Sequence, residues 1–136
     1  MTIPSQAYTS TSASVQILRQ PPPFPPDWCQ LVDPSLPQPQ VSAFISGSGV
    51  KVQWTVAPGV NLSTVASYEI FSYHEAINDP GPSPWTRLGD VTSLILPMSV
   101  TLEKMLKGKT YHFIVRAMNA LRQPGPLSKA ATLTVP

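Results

Sequence analysis

Proline placement constrains this chain more than any other feature of its sequence. Seventeen of its 136 residues are proline, well above the usual share of about 5%, and eight of the seventeen crowd residues 21–39. Proline fixes φ and lacks an amide hydrogen, so such a stretch forms neither a helix nor a central strand. We therefore expect residues 1–36 to be a proline-rich, largely irregular linker or arm and residues 37–136 to be the folded domain.

The arm also carries large apolar side chains, among them Phe24 and Trp28. Proline-rich segments adopt the polyproline II conformation and serve as semi-rigid spacers or as recognition motifs. Four uses therefore stay open: a spacer, a motif that docks on a partner, an arm that folds back on its own domain, and a ligand segment fused to the domain.

Charge and cysteine usage exclude several classes of protein. Only 12% of the residues are charged and the net charge is +2, which is too small for direct nucleic-acid binding. The single cysteine, Cys29, excludes an intrachain disulfide. The first fourteen residues lack the basic and apolar regions of a signal peptide, and no run reaches the roughly 18 apolar residues that span a bilayer. These features predict no membrane association and favour a reducing compartment.

Apolar residues recur at every second position in several short segments. In VKVQWTV (50–56) the valines and Trp54 fall on one face, while Lys51, Gln53 and Thr55 fall on the other, which is typical of a half-buried strand. Six more segments have strand character and are separated by turn residues: 41–46, 67–75, 85–91, 96–106, 110–119 and 127–135. Seven short strands in about 100 residues predict an all-β, immunoglobulin-like β-sandwich.

The sequence contains no arrangement of residues that supports catalysis or metal binding. The two histidines, His74 and His112, and Cys29 lack the spacing of a zinc site. His74 and Glu75 are adjacent on a strand and point to opposite faces, so they do not form an acid–base pair. Phosphate-binding and nucleophile-elbow glycine motifs do not occur. We therefore predict that the domain is not an enzyme and holds no cofactor or metal, which leaves protein binding.

The segment MLKGKTYHFIVRAMN (105–119) resembles the fibronectin type III family. Met105 stands where the family has leucine, Gly108 occupies the corner, and Tyr111 holds the tyrosine-corner position. The positions that follow are in the family's register: Phe113, Val115, Ala117 and Asn119. The resemblance covers residues 37–136 and implies a seven-stranded sandwich in which the tyrosine hydroxyl bonds upstream backbone.

A narrower resemblance rests on SYHE (72–75) and LPMSVTL (96–102). Both are similar to the C-terminal fibronectin type III domain of the activating transcription factor 7-interacting protein family, whose members are nuclear chromatin cofactors. The resemblance implies nuclear localisation and a scaffold that recruits transcription or chromatin repressor proteins, linked to histone lysine methylation. A structural or adhesion-type fibronectin type III module without a chromatin role is the alternative.

The family's strand register divides the side chains between two faces. It implies core positions for Trp54, Tyr68, Ile70, Met105, Tyr111, Phe113 and Val115. The alternate positions face outward on the two neighbouring strands that the family calls C and F. With one residue of the next strand, they are the candidate partner-binding residues: Phe71, Tyr73, Ile114, Met118, Arg116, His112 and Trp85. We expect an exposed patch that binds a short peptide segment of a partner, or else a strand added at a sheet edge, on a monomeric domain.

Overall fold

The alternating segments form seven strands and no helix in the computed structural model, which describes residues 32–75 and 85–136. The strands are β1 (Gln40–Ser46), β2 (Gly49–Thr55), β3 (Ser67–Glu75), β4 (Thr86–Thr92), β5 (Met98–Leu102), β6 (Thr110–Met118) and β7 (Ala131–Thr134). The expected all-β sandwich is therefore confirmed. Most of the expected arm, residues 1–31, lies outside the described residues.

Two antiparallel sheets make up the sandwich. One has the strand order β1-β2-β5 and the other β4-β3-β6-β7. The central pair of the larger sheet, β3 and β6, is matched residue for residue, from Ser67 opposite Met118 to Glu75 opposite Thr110. Successive side chains of a strand alternate between faces. Each of these two strands therefore gives one set of side chains to the space between the sheets and the other set to the outer face of the larger sheet.

The space between the sheets holds the main hydrophobic core. Val50, Val52 and Trp54 enter it from β2, and each is at most 1% exposed. Trp54 packs against Tyr68, with ring centroids 5.7 Å apart. Met105, expected in the core, is only partly buried at its margin. The other expected core residues of the larger sheet lie within the core: Tyr68, Ile70, Tyr111, Phe113 and Val115.

A tyrosine corner closes the connection between β5 and β6. The backbone N–H of Leu106 donates to the hydroxyl of Tyr111 over 3.0 Å. Gly108, at φ 79°, donates its N–H to the carbonyl of Val135 over 2.8 Å. Glycine adopts a positive φ without steric cost, so Gly108 lets the chain turn between the two sheets. The upstream backbone bond implied by the fibronectin resemblance is present.

The last strand is shorter than the sequence predicts. Strand character is expected over 127–135, whereas only Ala131–Thr134 forms β7. At Ser128 the side-chain hydroxyl accepts the N–H of Val115 over 3.0 Å, while the backbone N–H of Ser128 donates to the carbonyl of Val115. Because a hydroxyl stands in for a backbone acceptor here, the regular ladder begins three residues later.

β4 forms one edge of the larger sheet and is irregular. Its pairing with β3 loses register between Ile70 and Phe71. Gly89 and Arg87 lie opposite these two residues, so Leu88 is an extra residue between them. An extra residue of this kind is a β-bulge, which bends the strand and increases its local twist.

Residues just before β1 belong to the folded part of the chain. Leu36 is 2% exposed and lies in the core. The N–H of Asp33 donates to the carbonyl of Pro124 over 2.7 Å, and the side-chain amide of Asn119 donates to the Asp33 carboxylate over 3.1 Å. The domain boundary at residue 37 stays a prediction, but the chain is already anchored at Asp33, beside the end of β6.

Gly125 lies directly against Leu36, and we expect a larger side chain at this position to destabilise the fold. A Cβ at position 125 would lie 2.6 Å from the Cβ of Leu36. The substitution Gly125→Ala should therefore lower the free energy of unfolding by about 1–3 kcal/mol, the usual range for overpacking. Urea unfolding followed by circular dichroism measures the change. An unchanged midpoint would show that Leu36 is not held against this glycine.

Candidate functional site

The outer face of the larger sheet carries an apolar cluster of its own. The pairing of β3 with β6 places Phe71 opposite Ile114 and Tyr73 opposite His112. Phe71, Tyr73 and Ile114 pack with Trp85, which precedes β4, in a cluster separate from the core. The rings of Tyr73 and Trp85 are 5.5 Å apart between centroids, a separation that stabilises aromatic pairs. These four residues are called the outer-face cluster below.

The outer-face cluster is buried, contrary to the exposed patch expected from the sequence. Two described side chains contribute to this burial. Leu127 packs against the cluster, and the guanidinium of Arg116 lies 5.1 Å from the centroid of the Phe71 ring. The expectation of an exposed patch is therefore wrong for the folded chain. The exposed fractions are Phe71 0%, Tyr73 1%, Trp85 7% and Ile114 9%.

A chain of ion pairs flanks the cluster. The carboxylate of Glu69, buried on β3, accepts from Arg116 of β6 over 2.7 Å and from Arg87 of β4 over 2.6 Å. The hydrogen bond to Glu69 raises the pKa of Arg87. At the surface, Asp90 binds Arg122 over 2.8 Å, and this hydrogen bond lowers the pKa of Asp90. One buried carboxylate thus ties β4, β3 and β6 together across the outer face.

The structure brings most, but not all, of the candidate binding residues together. The four residues of the outer-face cluster are in contact with one another. His112 lies beside Tyr73, with ring centroids 5.3 Å apart, and Arg116 covers Phe71. Met118 is also buried but lies at the end of β6, outside the cluster. Their role in partner binding stays a prediction.

Sequence reasoning does not find three residues of this surface, namely Glu69, Arg87 and Leu127. Glu69 stands opposite Arg116, and alternation assigns both to outward positions. An opposite-charge pair across neighbouring strands is therefore the signal that was available for Glu69. Arg87 and Leu127 carry no such signal, because the bulge beside Arg87 and the irregular segment around Leu127 interrupt the alternation.

His112 is a buried polar residue within this surface. It is 4% exposed, and its Nδ1 lies 2.9 Å from the hydroxyl oxygen of Thr132. Its Nε2 is buried and has no hydrogen-bond partner among the described residues. Burial lowers the pKa of His112 below the ordinary value of 6.5, while the negative charge of Glu75 opposes the shift. The fold therefore favours the neutral ring.

We expect His112 to make the fold less stable when the pH falls below about 6.5. The unfolded chain binds a proton at the ordinary histidine pKa, whereas the folded chain keeps His112 neutral to lower pH. Between these two pKa values the unfolded chain holds more protons, so acid favours it. Thermal unfolding of the protein and of His112→Gln over a pH series measures the effect, with His74 present in both. If the melting temperature changed with pH equally in the two proteins, His112 would not be the cause of the acid destabilisation.

Two kinds of feature are absent from the described part of the chain. Within residues 32–75 and 85–136, no group of three or more histidine, cysteine, aspartate or glutamate side chains could hold a metal ion. No helix in these ranges is long and apolar enough to cross a membrane. The outer face is built from aromatic rings, an isoleucine side chain and a guanidinium, all of them buried.

The sandwich and its tyrosine corner define a fibronectin type III module. The family model of the fibronectin-III type domain matches residues 32–132, which is more than half of the chain. This chain therefore belongs to the fibronectin type III family.

Within that family, the sequence is similar to activating transcription factor 7-interacting proteins. Protein 1 of Homo sapiens is 33% identical over 108 residues, or 79% of this chain, and the Gallus gallus protein 1 is 34% identical over 106 residues, or 77%. Protein 2 of Homo sapiens is 29% identical over 94 residues, or 68%. The matches span only 8%, 10% and 14% of these relatives, respectively. The narrower resemblance seen in the sequence is confirmed.

Solved fibronectin structures share the fold at low sequence identity. The third fibronectin III domain of human KIAA0343 protein has a TM-score of 0.53 at 17% identity, covering 76% of this chain and 86% of that one. The twitchin kinase region of C.elegans has a TM-score of 0.55 at 21% identity, covering 76% and 17%. At these identities the likeness concerns the fold alone.

Proposed function

We propose that this domain is a protein–protein interaction module of a nuclear transcriptional cofactor or scaffold. The proposal is supported by similarity to proteins that are named for interaction with activating transcription factor 7, and by membership of the fibronectin type III family. In this proposal the monomeric module recruits transcription or chromatin repressor proteins, with a link to histone lysine methylation. It acts without catalysis and without direct contact with nucleic acid or membrane.

One observation carries the choice of binding surface: the outer face holds a second apolar cluster, separate from the core. In an antiparallel sandwich the inner positions form the core, and outward positions are commonly polar. Here aromatic rings occupy outward positions. Aromatic residues and arginine are enriched in interface cores and among the residues that dominate binding energy. A short segment of a partner is therefore proposed to lie across the outer face and to contact Phe71, Tyr73 and Ile114.

The burial of this cluster sets a condition on binding. A partner segment reaches side chains that are at most 9% exposed only by replacing what covers them. Binding therefore includes a conformational step in this domain. Such a step lowers the association rate relative to a preformed, open site.

The double substitution Phe71→Leu with Ile114→Val tests this surface with small changes in volume. We expect it to weaken partner capture about tenfold, equal to about 1.4 kcal/mol of binding free energy, because the ring of Phe71 and a methyl group of Ile114 are lost from the contact. Affinity capture from nuclear extract, with quantitative mass spectrometry of the retained proteins, measures the difference. Capture equal to that of the unchanged protein would reject the outer face as the binding site.

A matched variant separates loss of binding from loss of stability. Val52→Ala removes volume from the core, where Val52 is 0% exposed, and leaves the outer face unchanged. Both variants are compared at a temperature at which circular dichroism shows them folded. The proposal expects Val52→Ala to capture the same proteins as the unchanged domain. Equal losses in the two variants would attribute the effect to stability and count against the proposed site.

A further inference from the structure

The outer face is buried along its length, and two described side chains, Leu127 and Arg116, pack over it. Tyr73 is 1% exposed near one end of the face, and Arg116 and Met118 are 6% and 4% exposed near the other. Leu127 is the partly buried apolar residue, within the described ranges, that packs against the outer-face cluster. β6 has nine residues, so at about 3.3 Å per residue it is roughly 30 Å long. Leu127 and the guanidinium of Arg116, which lies over Phe71, pack against the middle of that length.

The connection between β3 and β4 is too short to complete the cover. Its nine residues, 76–84, leave the sheet after Glu75 and return at Trp85, both toward the Thr110 end of β6. A nine-residue connection that returns to its starting end reaches no more than about 15 Å, half its extended length. Met118 lies at the opposite end of β6 and is beyond that reach.

The N-terminal segment enters at that opposite end. Asp33, near the start of the described chain, donates its N–H to the carbonyl of Pro124. Pro124 in turn forms a β-bridge with Met118. Residues before 32 therefore begin beside the part of the outer face that the β3–β4 connection does not reach.

The composition of RQPPPFPPDWCQL (19–31) matches this face. Five of its thirteen residues are proline, and at 3.1 Å per residue in polyproline II such a segment extends about 40 Å, longer than β6. Proline-rich segments dock on aromatic-lined surfaces because their conformation is already restricted. The outer-face cluster supplies three aromatic rings, and Phe24 and Trp28 supply apolar anchors.

We propose that residues 19–31 lie across the outer face of their own domain, anchored by Phe24 and Trp28. The segment acts as a built-in competitor for the surface to which the partner binds. The competition rests on the proposed function above, whereas the docking itself does not. Linkage to the same chain gives the segment a high effective concentration, so a partner has to outcompete it.

Cys29 allows a direct test in the full chain, because it is the only cysteine. A nitroxide spin label on Cys29 broadens the nuclear magnetic resonance signals of nearby residues. We expect loss of signal along the outer face, at Ile114 and His112 as well as at Met118. Signals of Lys51 and Gln53, on the opposite sheet, should keep their intensity. Uniform broadening over both sheets, or none beyond the attachment point near Pro124, would overturn the proposal.

The matched variant Phe24→Ala with Trp28→Ala keeps Cys29 and the tether but removes the two anchors. Docking predicts that the signals of Ile114 and His112 recover in this variant, while those near Pro124 stay broadened. Broadening at Ile114 that persists unchanged would show that these aromatic residues are not the anchors and would contradict the proposal. A mixture of spin-labelled, unenriched protein with unlabelled, isotope-enriched protein identifies contact between two copies. Broadening of outer-face signals in that mixture would show that the docked segment belongs to a second copy of the chain, which would overturn intramolecular docking.

The spin-label experiment contains no partner protein, so its result does not depend on the result of the partner-capture experiment. With docking established, Phe24→Ala/Trp28→Ala is expected to capture more partner than the unchanged protein, because the competitor is lost. Unchanged capture together with docking would count against the proposed binding site and leave the docking intact. Absence of docking would count against this inference and leave the proposed function intact.

Discussion

Replacing Trp54 with alanine is expected to lower the free energy of unfolding by about 3–5 kcal/mol. Trp54 is 1% exposed at the centre of the core and packs against Tyr68 from the opposite sheet. Truncation removes the largest side chain from this contact and leaves a cavity, which the facing sheet fills only partly. Since domains are stable by about 5–15 kcal/mol in total, the loss removes a large share of the stability. Urea unfolding monitored by far-ultraviolet circular dichroism measures it.

Gln53 provides the matched control on the same strand. It neighbours Trp54 in the sequence, but its side chain faces away from the core and is partly exposed. Gln53→Ala is expected to change the free energy of unfolding by no more than about 0.5 kcal/mol, as is usual for surface substitutions. Similar midpoints for the two variants would mean that the assignment of faces along β2 is wrong.

Replacing Glu69 with leucine is expected to cost about 3–5 kcal/mol of stability, because it removes one partner of a buried ion pair. The side chains of Glu69 and Arg116 are only 6% and 7% exposed, and their contact is 2.7 Å long. Arg87 is 40% exposed and can turn toward water, so the cost comes mainly from Arg116. The midpoint of urea unfolding is the measurement.

Two further variants separate the ion pair from other effects of the substitution. Adding Arg116→Met to Glu69→Leu replaces both charges by apolar groups, which should restore part of the lost stability. Asp90→Asn removes a carboxylate whose partners are exposed to solvent, and water and salt screen such pairs, so it should leave stability nearly unchanged. If Glu69→Leu were as mild as Asp90→Asn, the buried pair would not stabilise the sheet.

The sandwich could be predicted because its determinants are local in the sequence. Alternation such as that of VKVQWTV fixes which side chains point inward, and the glycine turns separate the strands. The shortened β7 could not be predicted, because the Ser128 hydroxyl, in place of a backbone carbonyl, accepts the N–H of Val115 on β6. The alternation of apolar and polar residues does not predict that a side chain will replace a backbone group in the hydrogen bonding between strands. The position of Leu36 in the core was equally hidden within a proline-rich stretch.

The sequence predicts which residues form the candidate site but not that they are buried. Strand periodicity correctly assigns Phe71, Tyr73 and Ile114 to the side of the sheet away from the core. Periodicity does not indicate what lies above that side, since cover depends on segments distant in sequence. The exposed patch was therefore an incorrect expectation, while the cluster itself exists.

The β-bulge in β4 protects a sheet edge against aggregation. An unpaired edge strand offers a template for the strands of other molecules, and bulges and charged residues disrupt that template. Leu88 adds the extra residue here, and the charged Arg87 and Asp90 flank it along the same strand. At high local concentration, addition of a strand from another molecule at the β4 edge of this sheet is therefore disfavoured.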